Sequence, residues 1–146
     1  MRDPLAIGLG ALGAGAGVGG GTIVAALVIV RVLEHHVHAL NYEESAADPV
    51  LAGTFAGLAL AAAFGWRKSG RLENIWQRGV IAVLSAVGGL MVGFIAWPMD
   101  RFLGTPGLIG WGVASFALGF AGSAWAGRGG RPDAVDTHET DRVPRD

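Results

Sequence analysis

The sequence predicts an all-α protein, an integral membrane four-helix bundle with both termini in the cytoplasm. Four stretches of the 146-residue chain contain no ionisable residue: 5–30, 49–66, 79–98 and 102–127. A bilayer core about 30 Å thick is crossed by roughly 20 apolar helical residues, and each stretch is near or above that length. The placement of the prolines, the tryptophans and the basic residues supports the same interpretation.

We expect spans near 5–33, 49–66, 79–97 and 104–127, which form one transmembrane domain within residues 1–127. Three of them begin with a proline after a good N-capping residue: Asp3–Pro4, Asp48–Pro49 and Thr105–Pro106. Pro98 is expected to close the third span. The first apolar run is longer than that of a signal peptide, so we expect an uncleaved first helix. The polar tail 128–146 is expected to be disordered unless a partner binds it.

Lysine and arginine predict the orientation in the cytoplasmic (inner) membrane. They concentrate in the 67–78 loop and in the tail, whereas the 34–48 loop has none. Because basic loops stay in the cytoplasm, the 34–48 loop should lie on the outer face. The residues expected to anchor the bundle at the lipid surface are Trp66, Arg67, Lys68, Arg71, Trp76, Trp97 and Trp125.

Composition excludes several classes of function. The chain has no cysteine, which removes disulfides and thiolate metal sites. Its net charge of −1 gives no electrostatic case for binding nucleic acid. No catalytic triad, phosphate-binding loop or pair of intramembrane carboxylates is present, so we do not expect an enzyme.

Small residues recur every four positions in each predicted span. Residues 10–21 read GALGAGAGVGGG, and a spacing of four keeps such residues on one helical face. Within lipid, helices associate through close backbone contact, which favours glycine. The predicted packing interface comprises Gly13, Gly15, Gly17, Gly19, Gly21, Gly53, Gly57, Gly89, Gly93 and Gly119. The first helix has glycine on more than one side, so it is either central or faces a partner protein or flat cofactor.

The same dozen residues resemble the glycine-rich first helix of rotary ATPase proteolipid c subunits. The resemblance implies a carboxylate in mid-membrane that carries the transported ion. None of the four predicted spans contains Asp or Glu, so the sequence argues against a proton rotor.

The end of the first span carries the one cluster of candidate ligands: Glu34, His35, His36 and His38. On a continuing helix, residues three and four apart share a face, so this set has the chemistry to ligate a metal, a haem iron or the magnesium of a chlorophyll-type pigment. The alternative is a solvated polar helix end. Arg31 lies nearby and is expected to pair with Glu34, to lie over His35, or to extend towards water.

The uncharged spans, the small-residue faces and the lack of catalytic groups favour an accessory or structural subunit of a larger membrane complex. Photosynthetic or respiratory electron transfer is the class of complex we expect, with membrane lipids and other membrane subunits as partners. The alternative is a small homo-oligomeric transporter or channel. Its mid-membrane polar groups would be hydroxyls only: Thr22, Thr54, Ser85, Ser115 and Ser123.

Overall fold

The computed structural model describes residues 4–36 and 47–128, with the side chains of 35, 36, 47 and 48 left out. Within these ranges the chain forms three helices and no strand: α1 (Pro4–His36), α2 (Ala47–Lys68) and α3 (Ile75–Arg128). The all-α prediction is therefore confirmed. The predicted tail and most of the 34–48 loop lie outside the described residues.

All three helices are long and apolar enough to cross a membrane. At 1.5 Å per residue, the 31 residues of Pro4–Glu34 reach about 46 Å and the 20 residues of Pro49–Lys68 about 30 Å. The predicted spans 5–33 and 49–66 lie inside α1 and α2. The 54 residues of α3 would extend about 80 Å if straight, more than twice the thickness of the hydrocarbon core.

α3 contains both predicted spans 79–97 and 104–127, and the expectation that Pro98 closes a helix is wrong. The helix runs through Pro98 and leaves helical geometry at Gly104, with φ 66° and ψ −162°. A positive φ is costly for a residue with a Cβ, so the change of direction falls on glycine. Proline already has a helical φ and removes one backbone bond, which this helix tolerates. We call residues 75–103 the first arm of α3 and residues 105–128 its second arm.

The two arms lie side by side. The indole Nε1 of Trp111 donates a hydrogen bond of 2.9 Å to the carbonyl oxygen of Val92. In a straight helix these residues, 19 apart, would be separated by about 28 Å. The second arm therefore folds back along the first after Gly104.

α1 lies at the centre, with α2 and both arms around it. Along the second arm, Gly10 meets Ala126 and Gly17 meets Gly119, so these segments are antiparallel. α2 is also antiparallel to α1, while the first arm runs parallel to it. In the most apolar window of each helix, 44% of α1 is buried, against 17% of α2 and 22% of α3. The other faces of α2 and α3 point outwards and are apolar.

The interior is built from small side chains. Ala11, Ala14, Ala61 and Ala96 have no exposed surface, and among the described residues only three larger hydrophobic side chains are buried to 1% exposure or less: Ile7, Val24 and Leu108. With little bulk between them, the helices approach closely enough for backbone-to-backbone contact.

Two ends of the fold differ in charge. At one end of the fold α1 begins, and α2 and α3 finish. We call it the basic end, because it carries Arg67, Lys68, Arg71, Arg78 and Arg128. We call the opposite end, where α1 finishes and the two arms meet, the Asp100 end.

Candidate functional site

Glycines of α1 contact neighbours on three sides. A Cβ built on Gly15 would lie 2.5 Å from the carbonyl oxygen of Ala61 in α2. One built on Gly17 would overlap the backbone of Gly119 in the second arm, and one on Gly20 the side chain of Val92 in the first arm. No real side chain fits at such distances, so each glycine permits one of the three helix contacts.

The remaining glycines of the predicted interface are distributed over the same contacts. Gly13 is in looser contact, with its built Cβ 3.8 Å from Gly122 Cα. The others meet a side chain or backbone of a neighbouring helix: Gly19 (Ala61), Gly21 (Phe116), Gly53 (Ala26), Gly57 (Ile23), Gly89 (Ala61), Gly93 (Ile23) and Gly119 (Val18). These contacts are within the chain, so the glycine faces of α1 are occupied by helices of the same chain.

Sequence reasoning missed several glycines of equal importance. Gly10 packs on the backbone of Ala126, and Gly122 packs on that of Ala14. Gly65 of α2, which continues the predicted series of Gly53 and Gly57, meets Ser85, whose buried hydroxyl has no hydrogen-bond partner among the described residues. Gly122 follows Gly119 by three, so a search for spacings of both three and four would have found it.

An ion-pair cluster occupies the Asp100 end. Arg31, near the end of α1, donates through Nε to Asp100 Oδ2 at 3.0 Å and contacts the same oxygen through Nη2. Its Nη1 lies 3.3 Å from Glu34 Oε2, one turn along α1. The Asp100 side chain is only 15% exposed, against 51% for Arg31. One cation therefore joins the end of α1 to the first arm, just before its break at Gly104.

A cavity of about 580 Å³ lies against this cluster. Its lining combines the three charged residues with apolar side chains from every helix: Leu27, Val30, Val50, Leu51, Trp97 and Leu108. The arrangement is an apolar recess with charged groups at its rim, open towards the surface of the molecule.

The predicted ligand cluster is only partly described. Glu34 is engaged by Arg31, and the backbone of His35 and His36 forms the last turn of α1. The side chains of those two histidines and all of His38 lie outside the described residues. Among the residues that are described, no group of three His, Cys, Asp or Glu side chains is placed to hold a metal ion.

The basic end is ordered by short-range hydrogen bonds. Ser69 follows α2 and donates from its backbone to Gly65 and from its hydroxyl to Trp66, both at 3.0 Å. Asn74 Oδ1 accepts a bond of 3.0 Å from Trp76 N and so caps α3. Residues 69–74 thus form a tight turn that holds the basic residues against the helix ends.

Two arginines of this end have defined positions. Arg71 Nη1 donates to the carbonyl oxygen of Gly127 at 3.0 Å, which ties the turn to the last residues of α3. The guanidinium of Arg78 lies 4.6 Å from the centre of the Trp66 ring, a cation–π geometry. Neither contact is visible in the sequence, because each joins segments that are not helical neighbours.

A second, smaller cavity of about 250 Å³ lies among these basic residues. It is lined by Arg67, Lys68, Gly70, Arg71, Ala126 and Gly127. No carboxylate contributes to the lining, and among described residues no ion pair involves these cations. The lining of the cavity therefore carries a net positive charge that no lining carboxylate neutralises.

The tryptophans divide between surface and interior. Trp66, Trp76 and Trp125 are exposed at the basic end, and Trp97 is exposed near the Asp100 end. Trp111 is half-buried and joins the two arms of α3 instead.

No protein-family model matches the chain, and neither the curated proteins nor the solved structures contain a match to it.

Proposed function

We propose that this chain is a non-catalytic subunit of a larger assembly in the cytoplasmic membrane, which it crosses four times as α1, α2 and the two arms of α3. Tight packing around α1 supports the proposal. Gly15, Gly17 and Gly20 let three neighbours reach the central helix, and no side chain of the described core is charged. A centre closed in this way suits a rigid membrane scaffold.

The observation that carries this proposal is the contrast between that closed centre and the apolar outer faces. Phe55 on α2, Phe94 on the first arm and Phe120 on the second arm are 69%, 69% and 81% exposed. In a membrane such faces contact either acyl chains or other helices. Because the glycine faces of α1 are used within the chain, contacts with other subunits would fall on these outer faces.

The test is purification in a mild detergent with a photo-crosslinking amino acid at Phe55, Phe94 or Phe120. We expect stoichiometric co-purification with other polypeptides and crosslinking from at least one of the three positions. The same substitution at Trp76, which is 79% exposed at the basic end, controls for crosslinking by exposure alone. A lone chain that crosslinks only to lipid at every position would refute the subunit role.

Within this proposal, electron-transfer complexes are the first class to test. The supporting feature is the sequence cluster Glu34, His35, His36 and His38, of which the first three residues lie in the last turn of α1 and His38 lies outside the described residues. A haem or chlorophyll-type pigment bound there would give visible absorption in the purified complex. We expect that band to disappear when His35 and His38 are both replaced, and a colourless complex would exclude the pigment.

The proposed orientation places the basic end in the cytoplasm, following the distribution of lysine and arginine. The natural chain has no cysteine, so single cysteines report accessibility without background. We expect Arg101→Cys to react with an impermeant maleimide in intact cells, and Glu73→Cys to react only after permeabilisation. The reverse pattern would invert the topology.

A homo-oligomeric transporter or channel is the second candidate, and the cavity beneath Arg31, Glu34 and Asp100 favours it. Since the centre of one chain is closed, the pathway would run from this cavity along a contact between copies. Filling the recess with Leu51→Trp should then reduce solute flux in proteoliposomes of the pure protein. Val83→Trp, on an exposed face of the first arm, is the control. Absence of flux from the unaltered protein would dismiss this candidate.

A further inference from the structure

We propose that the cavity at the basic end binds one phosphate group, and that its source is the headgroup of an anionic phospholipid. This goes beyond the subunit role and depends on the chain lying in a membrane with its basic end in the cytoplasm. Three side chains that line the cavity are cationic: Arg67, Lys68 and Arg71. A volume of about 250 Å³ accommodates a phosphodiester with part of its glycerol.

The cations come from two segments that the fold holds together. Arg67 and Lys68 belong to the last turn of α2, while Arg71 is in the turn that follows. Arg71 uses Nη1 to bind the carbonyl oxygen of Gly127, which leaves its other N–H groups free of any described partner. A guanidinium anchored at one nitrogen presents the rest of its fork in a fixed direction, as phosphate recognition requires.

Arg78 gives a further reason to expect an anion at this cavity. Its Nε is buried and has no hydrogen-bond partner among the described residues. Its guanidinium stacks on Trp66, and its Nη2 lies 3.8 Å from the Cβ position of Gly70, which lines the cavity. The Arg78 charge therefore lies beside the cavity and adds to its attraction for an anion.

The surroundings favour a lipid as the source of the phosphate. Trp66 and Trp125 are exposed at this end, and tryptophan is typical of the headgroup level of a bilayer. Basic recesses between membrane helices on the cytoplasmic side bind anionic headgroups. At the same end, an apolar groove of about 470 Å³ lined by Leu5, Leu72, Trp76, Val80 and Ile81 provides a surface for an acyl chain.

Two variants test the site, one by removing its positive charges and the other by adding a negative charge. Arg67→Gln, Lys68→Gln and Arg71→Gln together remove the cations. Gly127→Glu instead adds a carboxylate to the lining, and a Cβ there has nothing within 4 Å, so the fold should be retained. Gly127→Gln has the same bulk without the charge. Arg101→Gln removes one cation from the Asp100 end and is the matched surface control.

The measurement is native mass spectrometry in a non-ionic detergent, titrated with phosphatidylglycerol, cardiolipin or phosphatidylcholine. We expect one anionic lipid per chain and little binding of phosphatidylcholine. The triple variant and Gly127→Glu should each lower affinity for the anionic lipids by about tenfold or more, since each removes or opposes charge-assisted hydrogen bonds. Gly127→Gln and Arg101→Gln should change it by less than about twofold.

Three results would overturn the proposal. The first is equal binding of phosphatidylcholine, the second an equal loss with Arg101→Gln, and the third unchanged affinity in Gly127→Glu. Inorganic phosphate identifies the source: if millimolar phosphate occupies the site in the absence of lipid and displaces phosphatidylglycerol, the natural ligand is a free phosphate. None of these outcomes bears on co-purification with other polypeptides, so the subunit role is tested separately.

Discussion

At the scale of single residues, the fold depends on glycines that have no room for a side chain. In most helices, alanine is favoured over glycine by about 0.8–1.0 kcal/mol because glycine loses more backbone entropy. At Gly17 the contact with Gly119 reverses that preference, since a methyl group would separate α1 from the second arm. Gly110, which lies in the second arm as Gly119 does, has no atom within 4 Å of its Cβ position.

We therefore expect opposite effects from the same substitution at two positions. Gly17→Ala should destabilise the fold by about 1–3 kcal/mol through overpacking. Gly110→Ala should leave stability unchanged or raise it by up to about 1 kcal/mol. Denaturation in detergent, followed by circular dichroism, measures both. A stable Gly17→Ala protein would show that α1 does not approach the second arm as closely as described.

At the scale of elements, α3 changes direction at Gly104 and is held closed by Trp111. The break requires φ 66° and ψ −162°, a combination almost restricted to glycine, and a residue with a Cβ pays about 1–3 kcal/mol to adopt it. The hydrogen bond from Trp111 to Val92 then fixes the arms against each other, and its net contribution is about 0.5–1.5 kcal/mol.

Gly104→Ala should consequently destabilise the protein by about 1–3 kcal/mol, although a Cβ at this position meets only Pro106 at 3.9 Å. The cost is conformational, and asparagine is favoured at positive φ only near the ψ of the left-handed helix, so Gly104→Asn should lose about as much stability as Gly104→Ala. Thermal unfolding of the two variants beside Gly110→Ala makes the comparison. Equal stability of Gly104→Ala and Gly110→Ala would contradict a break at this residue.

A third prediction concerns the ion-pair cluster that joins α1 to the first arm. Arg31→Gln would leave the largely buried Asp100 without its cation, whereas Glu34→Gln would leave the Arg31–Asp100 pair intact. We expect a loss of about 1–2 kcal/mol for Arg31→Gln and less than about 0.5 kcal/mol for Glu34→Gln, because the cluster is only partly shielded from solvent.

A double-mutant cycle of Arg31→Gln with Asp100→Asn measures the interaction energy between these two side chains. Arg31→Gln and Asp100→Asn should be less than additive, with a coupling of about 0.5–1 kcal/mol that falls at high salt. Strict additivity would mean that the two side chains do not interact in solution.

At the scale of the whole molecule, the chain combines a closed interior with two chemically different ends. The interior is joined by backbone contact, whereas the ends carry the charged residues that the described core lacks. Any ligand or partner chemistry is thus expected at the basic end, at the Asp100 end or on the apolar outer faces. The phosphate proposal and the subunit proposal concern different parts of this surface.

The sequence by itself determined the all-helical class and the presence of helices long and apolar enough to cross a membrane, because both follow from composition along the chain. It also predicted which glycines share a helical face, since a spacing of four residues is a local property of a helix. It misplaced the end of the third span at Pro98, because proline marks a frequent helix end but only the conformation of Gly104 turns this chain.

Only the tertiary structure decided which residues meet across helices. Arg31 and Asp100 are 69 residues apart, Arg71 and Gly127 are 56 apart, and neither pair has a periodic signal in the sequence. The cavity between Arg67 and Gly127 likewise exists only once the end of α3 returns to the end of α2. Local periodicity specifies each helix, but the relative positions of helices depend on close packing between residues distant in the chain.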